Sequence, residues 1–239
     1  MRQLLLLSNS RDPDGRYLVH AAEAIATYTR DVRNALFIPY ADVSGEYDEY
    51  CERAQSGFAH ANVTLHSIHR SSDPVAAVAN AEAIVVGGGN TFHLLSALQN
   101  HALLNPIRQR VRAGAPYIGW SAGAVIAGPT LKTTNDMPIV EPSSFDALSL
   151  VSFQVNAHFT DAHPPGFQGE TRRQRIGEFL MANADACVIG LPEGDWLEVR
   201  GDDVTLHGLH SAFVFRPASD AVEVMPGIAV HRVLEPQQA

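Results

Sequence analysis

The stretch that decides the fold is Pro116-Tyr117-Ile118-Gly119-Trp120-Ser121-Ala122-Gly123-Ala124-Val125-Ile126-Ala127. Its first residues are apolar and favour a β-strand, while its last residues are small and favour a helix. Residues 119–123 between them read Gly-x-Ser-x-Gly, which alone would often be a plain turn. A serine at the tip of a sharp strand-to-helix turn needs neighbours without a Cβ, because the backbone is crowded there. With these flanks, the stretch predicts a nucleophile elbow with Ser121 at its apex.

Buried strands alternate with helices around this stretch, which predicts an α/β fold with a doubly wound, mostly parallel sheet flanked by helices. A short antiparallel β extension is expected near the C-terminus. We treat residues 1–239 as a single domain in which residues 235–239 form a frayed tail. The predicted strands are 4–7, 35–39, 63–68, 83–86, 117–120, 151–155, 187–191, 196–200, 204–206 and 212–215. The predicted helices are 17–28, 46–59, a short one opening at 73–74, 91–99, 104–113 and 171–183.

Composition limits the classes of partner. The chain has 239 residues, a formal net charge of −9 and no long apolar span, which argues against nucleic acid or a membrane. Cys51 and Cys187 lie far apart, so a reducing cytoplasm fits better than a disulfide framework. No cofactor is expected, and no metal either, since His158 and His163 lack a third ligand at suitable spacing. The oligomeric state stays open, with a homodimer as one alternative.

A serine hydroxyl needs a base, and the base needs an orienting acid. His158 is the best candidate base, because it follows a predicted strand and doubly wound sheets place their sites at such strand ends. Two carboxylates compete to orient it. Asp136 gives the chain order Ser, Asp, His, and Glu193, directly after another predicted strand, gives Ser, His, Glu. The sequence alone leaves this choice open, and either carboxylate could instead be a cap or turn residue.

The oxyanion of an acyl-transfer reaction needs backbone N–H donors. Ala122, at the start of the helix after the elbow, supplies one N–H. The loop Gly87-Gly88-Gly89-Asn90 follows a neighbouring strand, and we expect Gly89 to supply the second. A phosphate-binding loop is the weaker interpretation, because neither Gly-x-Gly-x-x-Gly nor Gly-Lys-Ser/Thr is present. Asn90 then faces the pocket, or simply caps the next helix.

Three arginines lie at the predicted start of the helix over residues 171–183. Arg172, Arg173 and Arg175 lie where the helix dipole disfavours cations. Two of them are expected on a solvated surface. One can be retained to bind a substrate carboxylate in bidentate fashion.

Seven blocks in chain order resemble the peptidase E family of α-aspartyl dipeptidases. The resemblance covers nearly the whole chain, to about Phe215, and departs from the family mainly in the loop 12–16 and at the C-terminal end. The Gly-Trp-Ser-Ala-Gly and Thr-Asn-Asp-Met-Pro blocks are together specific. The blocks are residues 4–10, 85–92, 117–124, 133–140, 156–160, 169–172 and 190–194.

This resemblance implies a serine exopeptidase that removes an N-terminal aspartate from Asp-X dipeptides. It also implies a fold like that of class I glutamine amidotransferases, with serine in place of cysteine. The family pattern maps to Ser121 and His158, with Asp136 as the usual acid and Glu193 as its rival. The aspartate-binding arginine falls on Arg172. Further contacts to the peptide are expected from residues within the family blocks, namely Gly88, Asn90 and Asn156.

Two other functions are weighed against this one. A cyanophycinase-like peptidase acting on aspartyl polymers or other isopeptides shares a Gly-x-Ser-Ala-Gly elbow, and activity on β-linked Asp-Arg would favour it. A non-catalytic flavodoxin-like binding module would not react with a serine-directed reagent at Ser121.

Overall fold

Two β-sheets form the framework of the chain. The computed structural model describes residues 1–231, so the predicted tail at 235–239 lies outside the described residues. The strands are β1 Gln3–Leu7, β2 Asn34–Ile38, β3 Thr64–Ser67, β4 Ala83–Val86, β5 Tyr117–Trp120, β6 Gln154–Ala157, β7 Val188–Leu191, β8 Trp196–Arg200, β9 Asp203–His207, β10 Ala212–Phe215 and β11 Val222–Val224. The α-helices are α1 Ala22–Tyr28, α2 Tyr47–Gly57, α3 Pro74–Asn80, α4 Thr91–Asn100, α5 Leu104–Arg112, α6 Ala122–Val125 and α7 Arg172–Ala182.

The main sheet has seven strands in the order β3-β2-β4-β5-β1-β8-β9. Strands β3 to β1 of this order run parallel, whereas β8 and β9 add two antiparallel strands beside β1. The core strands are continuous apolar runs because helices cover both faces, and Leu4–Leu7 have no exposed surface. The mostly parallel α/β sheet with an antiparallel extension is therefore confirmed.

A second sheet, with the order β11-β10-β7-β6, was not predicted. In it only β6 and β7 run parallel. The strand predicted at 151–155 was misplaced and begins at Gln154. The reason is local, since the N–H groups of Leu150 and Val151 donate to the carbonyl oxygen of Ala127, two residues after the end of α6 and outside any strand. The sheet places the end of β6 beside the end of β7.

The helix predicted at 17–28 is shorter than expected. Leu18 has φ 55°, in the left-handed region, and so cannot continue a helix. A single 3-10 turn, Val19–Ala21, follows, and α1 begins only at Ala22. Within residues 1–231, none of the helices has the length and apolar character needed to cross a lipid bilayer.

The two faces of the main sheet bury separate apolar clusters. Leu4 and Leu6 face the cluster that includes α6 and the second sheet, whereas Leu5 and Leu7 face the cluster that includes Trp120 and α2. Strand residues alternate between faces, so Trp120 lies on one face while Ala122 belongs to the other cluster. Ser121 lies between them, at the edge of the sheet where the two layers meet.

Candidate active site

Ser121 occupies a sharp turn between β5 and α6. Its backbone has φ 52° and ψ −115°, a region that residues with a side chain rarely adopt. A Cβ on Gly119 would lie 2.5 Å from the carbonyl oxygen of Gly123, and a Cβ on Gly123 would lie 2.4 Å from that of Val86. Close backbone approach therefore requires both glycines, and the turn has the geometry expected of a nucleophile elbow.

The side chains of Ser121, His158 and Glu193 form a hydrogen-bonded series. Ser121 Oγ lies 2.9 Å from His158 Nε2, and Glu193 Oε1 lies 2.6 Å from His158 Nδ1. A carboxylate at Nδ1 fixes the hydrogen on that nitrogen, which leaves Nε2 able to accept the hydroxyl proton. The Glu193 side chain is 63% exposed, so the acid lies at the solvent end of the series. This arrangement can activate a serine as a nucleophile.

Asp136 does not contact His158. Its Oδ2 atom accepts hydrogen bonds from the backbone N–H of Thr91 at 2.7 Å and from the hydroxyls of Thr91 at 2.5 Å and Thr134 at 3.0 Å. Thr91 is the first residue of α4, whose N-terminus attracts negative charge. The structure therefore brings Glu193, and not Asp136, to the imidazole, and Asp136 accepts hydrogen bonds at the start of a helix.

Ser8 and Asn9, the two residues after β1, hold the loops that carry His158 and Glu193. Ser8 Oγ accepts the backbone N–H of His158 at 2.8 Å and donates to the carbonyl oxygen of Leu191 at 2.8 Å. Asn9 Oδ1 accepts the backbone N–H of Gly194 at 2.8 Å. His158 has φ 56°, so these contacts hold a strained residue in place. This role is not predicted from the sequence, because Ser-Asn-Ser after a strand has the composition of an ordinary loop.

Unpaired backbone N–H groups flank the serine. Gly88 packs against Ser121, since a Cβ on it would lie 2.9 Å from the serine Cβ. Gly89 has φ 138°, and a Cβ there would lie 2.2 Å from the carbonyl oxygen of Ala41. Among the described residues, the N–H groups of Gly88 and Gly89 have no acceptor. Ala122 is the first residue of α6, where N–H groups lack intrahelical partners. These groups can stabilise an oxyanion.

Two cavities lie at this edge of the sheet. The first, the serine cavity, measures about 700 Å³, and its lining includes Asn9, Arg11, Tyr17, Asp42, Tyr50, Arg53, Gly88, Gly89, Asn90, Ser121, His158 and Glu193. The second, the arginine cavity, measures about 190 Å³, and its lining includes Lys132, Thr134, Asn135, Asp136, Asn156, Arg172 and Arg175. The predicted site residues are therefore divided between two neighbouring cavities.

Both asparagines predicted as substrate contacts are bonded to protein. Asn90 Oδ1 caps α4 by accepting the N–H of His93 at 3.0 Å, and its amide donates to the carbonyl oxygen of Met137 at 2.9 Å. The amide of Asn156 donates to the carbonyl oxygen of Thr133 at 2.8 Å. Its Oδ1 is buried without a partner among residues 1–231, so an acceptor in the arginine cavity remains available.

Arg172 is a half-buried cation that has no counter-charge among the residues that the structure describes. It begins α7, where the helix dipole disfavours a cation, and within the described part of the chain its guanidinium has no hydrogen bond or ion pair. Burial, and next the charge of Arg175, lower the pKa of Arg172. An anionic ligand would relieve both effects.

Thr91 adjoins Asn90 of the serine cavity and bonds Asp136 of the arginine cavity, so the two cavities are close neighbours.

Comparison with known proteins identifies the family. Residues 4–207 match the model of peptidase family S51. The chain belongs to this family. Peptidase E of Salmonella typhimurium strain LT2 is 48% identical over 225 residues, which are 94% of this chain and 98% of that protein. Peptidase E of Shigella flexneri serotype 5b gives the same values, 48% over 225 residues with 94% and 98% coverage. The chain is therefore a peptidase, and the resemblance to the peptidase E family is confirmed.

Two solved structures have a fold similar to that of this chain. A crystal structure of a peptidase E protein from Listeria monocytogenes EGD-e has a TM-score of 0.63 at 24% identity, covering 87% of this chain and 99% of that one. A peptidase from an acI-B1 actinobacterium has a TM-score of 0.68 at 19% identity, with 96% of each chain covered. At these identities they support the fold alone.

Proposed function

We propose that this S51 peptidase is a serine exopeptidase that hydrolyses the bond after an N-terminal aspartate, chiefly in Asp-X dipeptides. The observation that carries the proposal is the 2.9 Å approach of Ser121 Oγ to His158 Nε2, with Glu193 on the opposite ring nitrogen. Peptidase E relatives at 48% identity support a peptidase activity for the chain. Ser121 attacks the aspartyl carbonyl carbon while Nε2 takes its proton. Glu193 stabilises the imidazolium that forms.

The tetrahedral intermediate carries its charge on the former carbonyl oxygen. The N–H of Ala122 is the proposed donor on the helix side, and the N–H of Gly89 is the donor on the loop side. The intermediate collapses as His158 returns the proton to the leaving amine, which breaks the peptide bond and leaves an aspartyl ester on Ser121. His158 then deprotonates a water that attacks this ester. Free aspartate departs and the serine regains its proton.

Selection of aspartate is assigned to Arg172. Its half-buried guanidinium, which has no partner within residues 1–231, matches a β-carboxylate in charge and in bidentate geometry. Asn156 and Asn90 are the proposed polar contacts beside it, and Gly88 lets the substrate backbone approach Ser121. We place the reaction in the cytoplasm, because Cys51 and Cys187 are both free thiols.

A dipeptide panel tests the proposal. Asp-Leu, Glu-Leu, Asn-Leu and β-linked Asp-Arg are supplied separately to the wild type and to Ser121→Ala, and released amino acids are quantified. The proposal expects hydrolysis of Asp-Leu by the wild type, weak or no turnover of the Glu and Asn peptides, and none by the variant. Preferred cleavage of β-linked Asp-Arg would favour the cyanophycinase-like function instead. Equal activity in Ser121→Ala would refute the serine mechanism.

A further inference from the structure

The serine cavity extends from Ser121 along a wall of three aromatic side chains on the α2 face of the main sheet. The rings of Tyr17 and Trp120 meet edge to face with centroids 5.9 Å apart. Trp120 Nε1 donates to Tyr50 Oη at 3.1 Å, and Tyr50 Oη donates to the carbonyl oxygen of Gly88 at 2.8 Å. Burial raises the pKa of Tyr50 well above its usual range, so the phenol keeps its proton and remains a donor. These contacts therefore fix the aromatic wall in position next to the loop Gly87-Gly88-Gly89-Asn90.

Arg53 lies at the end of this wall. Its guanidinium carbon is 5.0 Å from the centroid of the Tyr50 ring, one helical turn earlier on α2. The side chain lines the serine cavity. Among residues 1–231 the guanidinium has no hydrogen bond and no ion pair, so its donors are available to a ligand. The aromatic stack holds the cation at the cavity without using those donors.

Arg11 is the second cation on the same cavity, and it is already engaged. Its Nη1 atom donates to the carbonyl oxygen of Gly15 at 2.8 Å, and its guanidinium lies over the ring of Tyr17 at 5.7 Å. These contacts hold Arg11 within its own loop. Arg53 is therefore the better candidate for an anionic ligand.

The position of Arg53 indicates which anion it would bind. A dipeptide Asp-X has two carboxylates, one on the aspartyl side chain and one at its C-terminus. Arg172 belongs to α7, which packs on the second sheet, whereas Arg53 belongs to α2, which packs with Trp120 on the opposite face of the main sheet. The carboxyl carbon of X is three bonds from the scissile carbonyl carbon, a distance of about 4 Å or less. A dipeptide that crosses the sheet edge at Ser121 can therefore direct its aspartyl carboxylate to Arg172 and its C-terminal carboxylate to Arg53.

We propose that Arg53 binds the free α-carboxylate of the leaving residue, while Tyr17, the partly exposed member of the aromatic wall, contacts the side chain of that residue. The inference rests on the proposed Asp-X hydrolysis and adds to it a leaving-group subsite. It explains a preference for dipeptides, since a longer peptide or an amide places no charge at this distance.

Asp-Leu and Asp-Leu amide form the test pair, because they differ only in the charge at the leaving end. Values of kcat/KM are measured for both substrates with the wild type, Arg53→Ala, Arg53→Lys and Arg11→Ala. We expect the wild type to prefer the acid by about tenfold or more, since hydrogen bonds to charged groups contribute at that level. Arg53→Ala should abolish the preference by slowing Asp-Leu, with the amide changed less than about twofold. Arg53→Lys should retain part of it.

Three results would overturn the assignment. In the first, Arg53→Ala keeps the wild-type preference for the acid. In the second, Arg53→Ala slows both substrates equally. In the third, Arg11→Ala abolishes the preference and Arg53→Ala does not. Failure of the wild type to cleave either substrate would instead refute the proposed function itself, and the subsite with it. Thermal unfolding of each variant checks folding, which should be unchanged because Arg53 is exposed.

Discussion

The fully buried hydroxyl of Ser8 accepts the backbone N–H of His158 at 2.8 Å, across 150 positions of sequence. This contact ties the imidazole to the end of β1. We expect Ser8→Ala to lower kcat on Asp-Leu about tenfold or more with little change in KM, because Ser8 positions the base and does not line the serine cavity. Stability should fall by about 1–3 kcal/mol, since a buried N–H loses its acceptor.

Thr29→Val is the matched control for Ser8→Ala. Thr29 is 2% exposed, and its hydroxyl donates to Ile25, away from the site. Urea unfolding and steady-state kinetics are run on both variants. A similar loss of kcat in Thr29→Val would mean that Ser8 acts only through stability.

Glu193→Gln tests the acid that the structure brings to His158. Glutamine can still accept the Nδ1 hydrogen but carries no charge to stabilise the imidazolium, so kcat should fall about 100-fold or more. Asp136→Asn should leave kcat within about threefold and lower stability by about 0.3–1 kcal/mol, the effect of a charge at a helix N-terminus. Steady-state kinetics on Asp-Leu compare the two. The reverse pattern would restore Asp136 as the orienting acid.

Arg172→Ala tests selection of the aspartyl side chain. Leaving a substrate carboxylate without its partner costs about 2–5 kcal/mol, so kcat/KM on Asp-Leu should fall about 30-fold or more. Arg173→Ala on the same helix is the control, because Arg173 pairs with Asp161 at 2.6 Å and does not line the arginine cavity. Near-normal turnover of Asp-Leu by Arg172→Ala would contradict the assignment of aspartate selection to Arg172.

Gly89→Ala tests the loop that supplies the proposed oxyanion donor. The new methyl would lie 2.2 Å from the carbonyl oxygen of Ala41, so the loop must shift and kcat/KM should fall about 100-fold or more. Gly114→Ala is matched in backbone strain, with φ 110°, but meets nothing within 4 Å. Kinetics on folded protein, verified by circular dichroism, should show the loss in the first variant alone. Equal losses would assign the effect to strain.

Asp195 gives a pH dependence of stability. Its side chain has no exposed surface, its Oδ2 has no partner among the described residues, and burial raises its pKa. A carboxyl whose pKa is raised by folding contributes its full stability below its unfolded pKa of about 3.9, and that contribution is lost as pH rises through the folded value. We expect the stability of wild type relative to Asp195→Asn to decline as the pH rises above the unfolded pKa of about 3.9. Urea unfolding measures this difference, and a constant value would contradict the prediction.

The elbow and the parallel sheet could be predicted from the sequence because their signals are local. The glycines around Ser121 and the apolar run of β5 lie within a few residues of each other. The choice between Asp136 and Glu193 depends on a long-range register. Ala157 of β6 pairs with Leu191 of β7, so the residues that follow these strands, including His158, emerge side by side. No local pattern encodes that pairing.

The second sheet escaped prediction for a related reason. Its strands have three or four residues each, and short apolar runs do not show which sheet they join. The contact between Ser8 and His158 joins distant parts of the chain, and serine is common in loops. Positioning contacts of this kind become visible only when the two sheets are assembled.

The order of the active residues along the chain affects what happens during synthesis. During synthesis the loop 87–90 and Ser121 emerge from the ribosome first, His158 follows, and Glu193 emerges last. Until β7 has paired with β6, the hydroxyl has no oriented base and remains an ordinary alcohol. On the proposed mechanism, a half-made polypeptide therefore carries the serine without hydrolytic activity, and peptide cleavage begins only after β6 and β7 have paired.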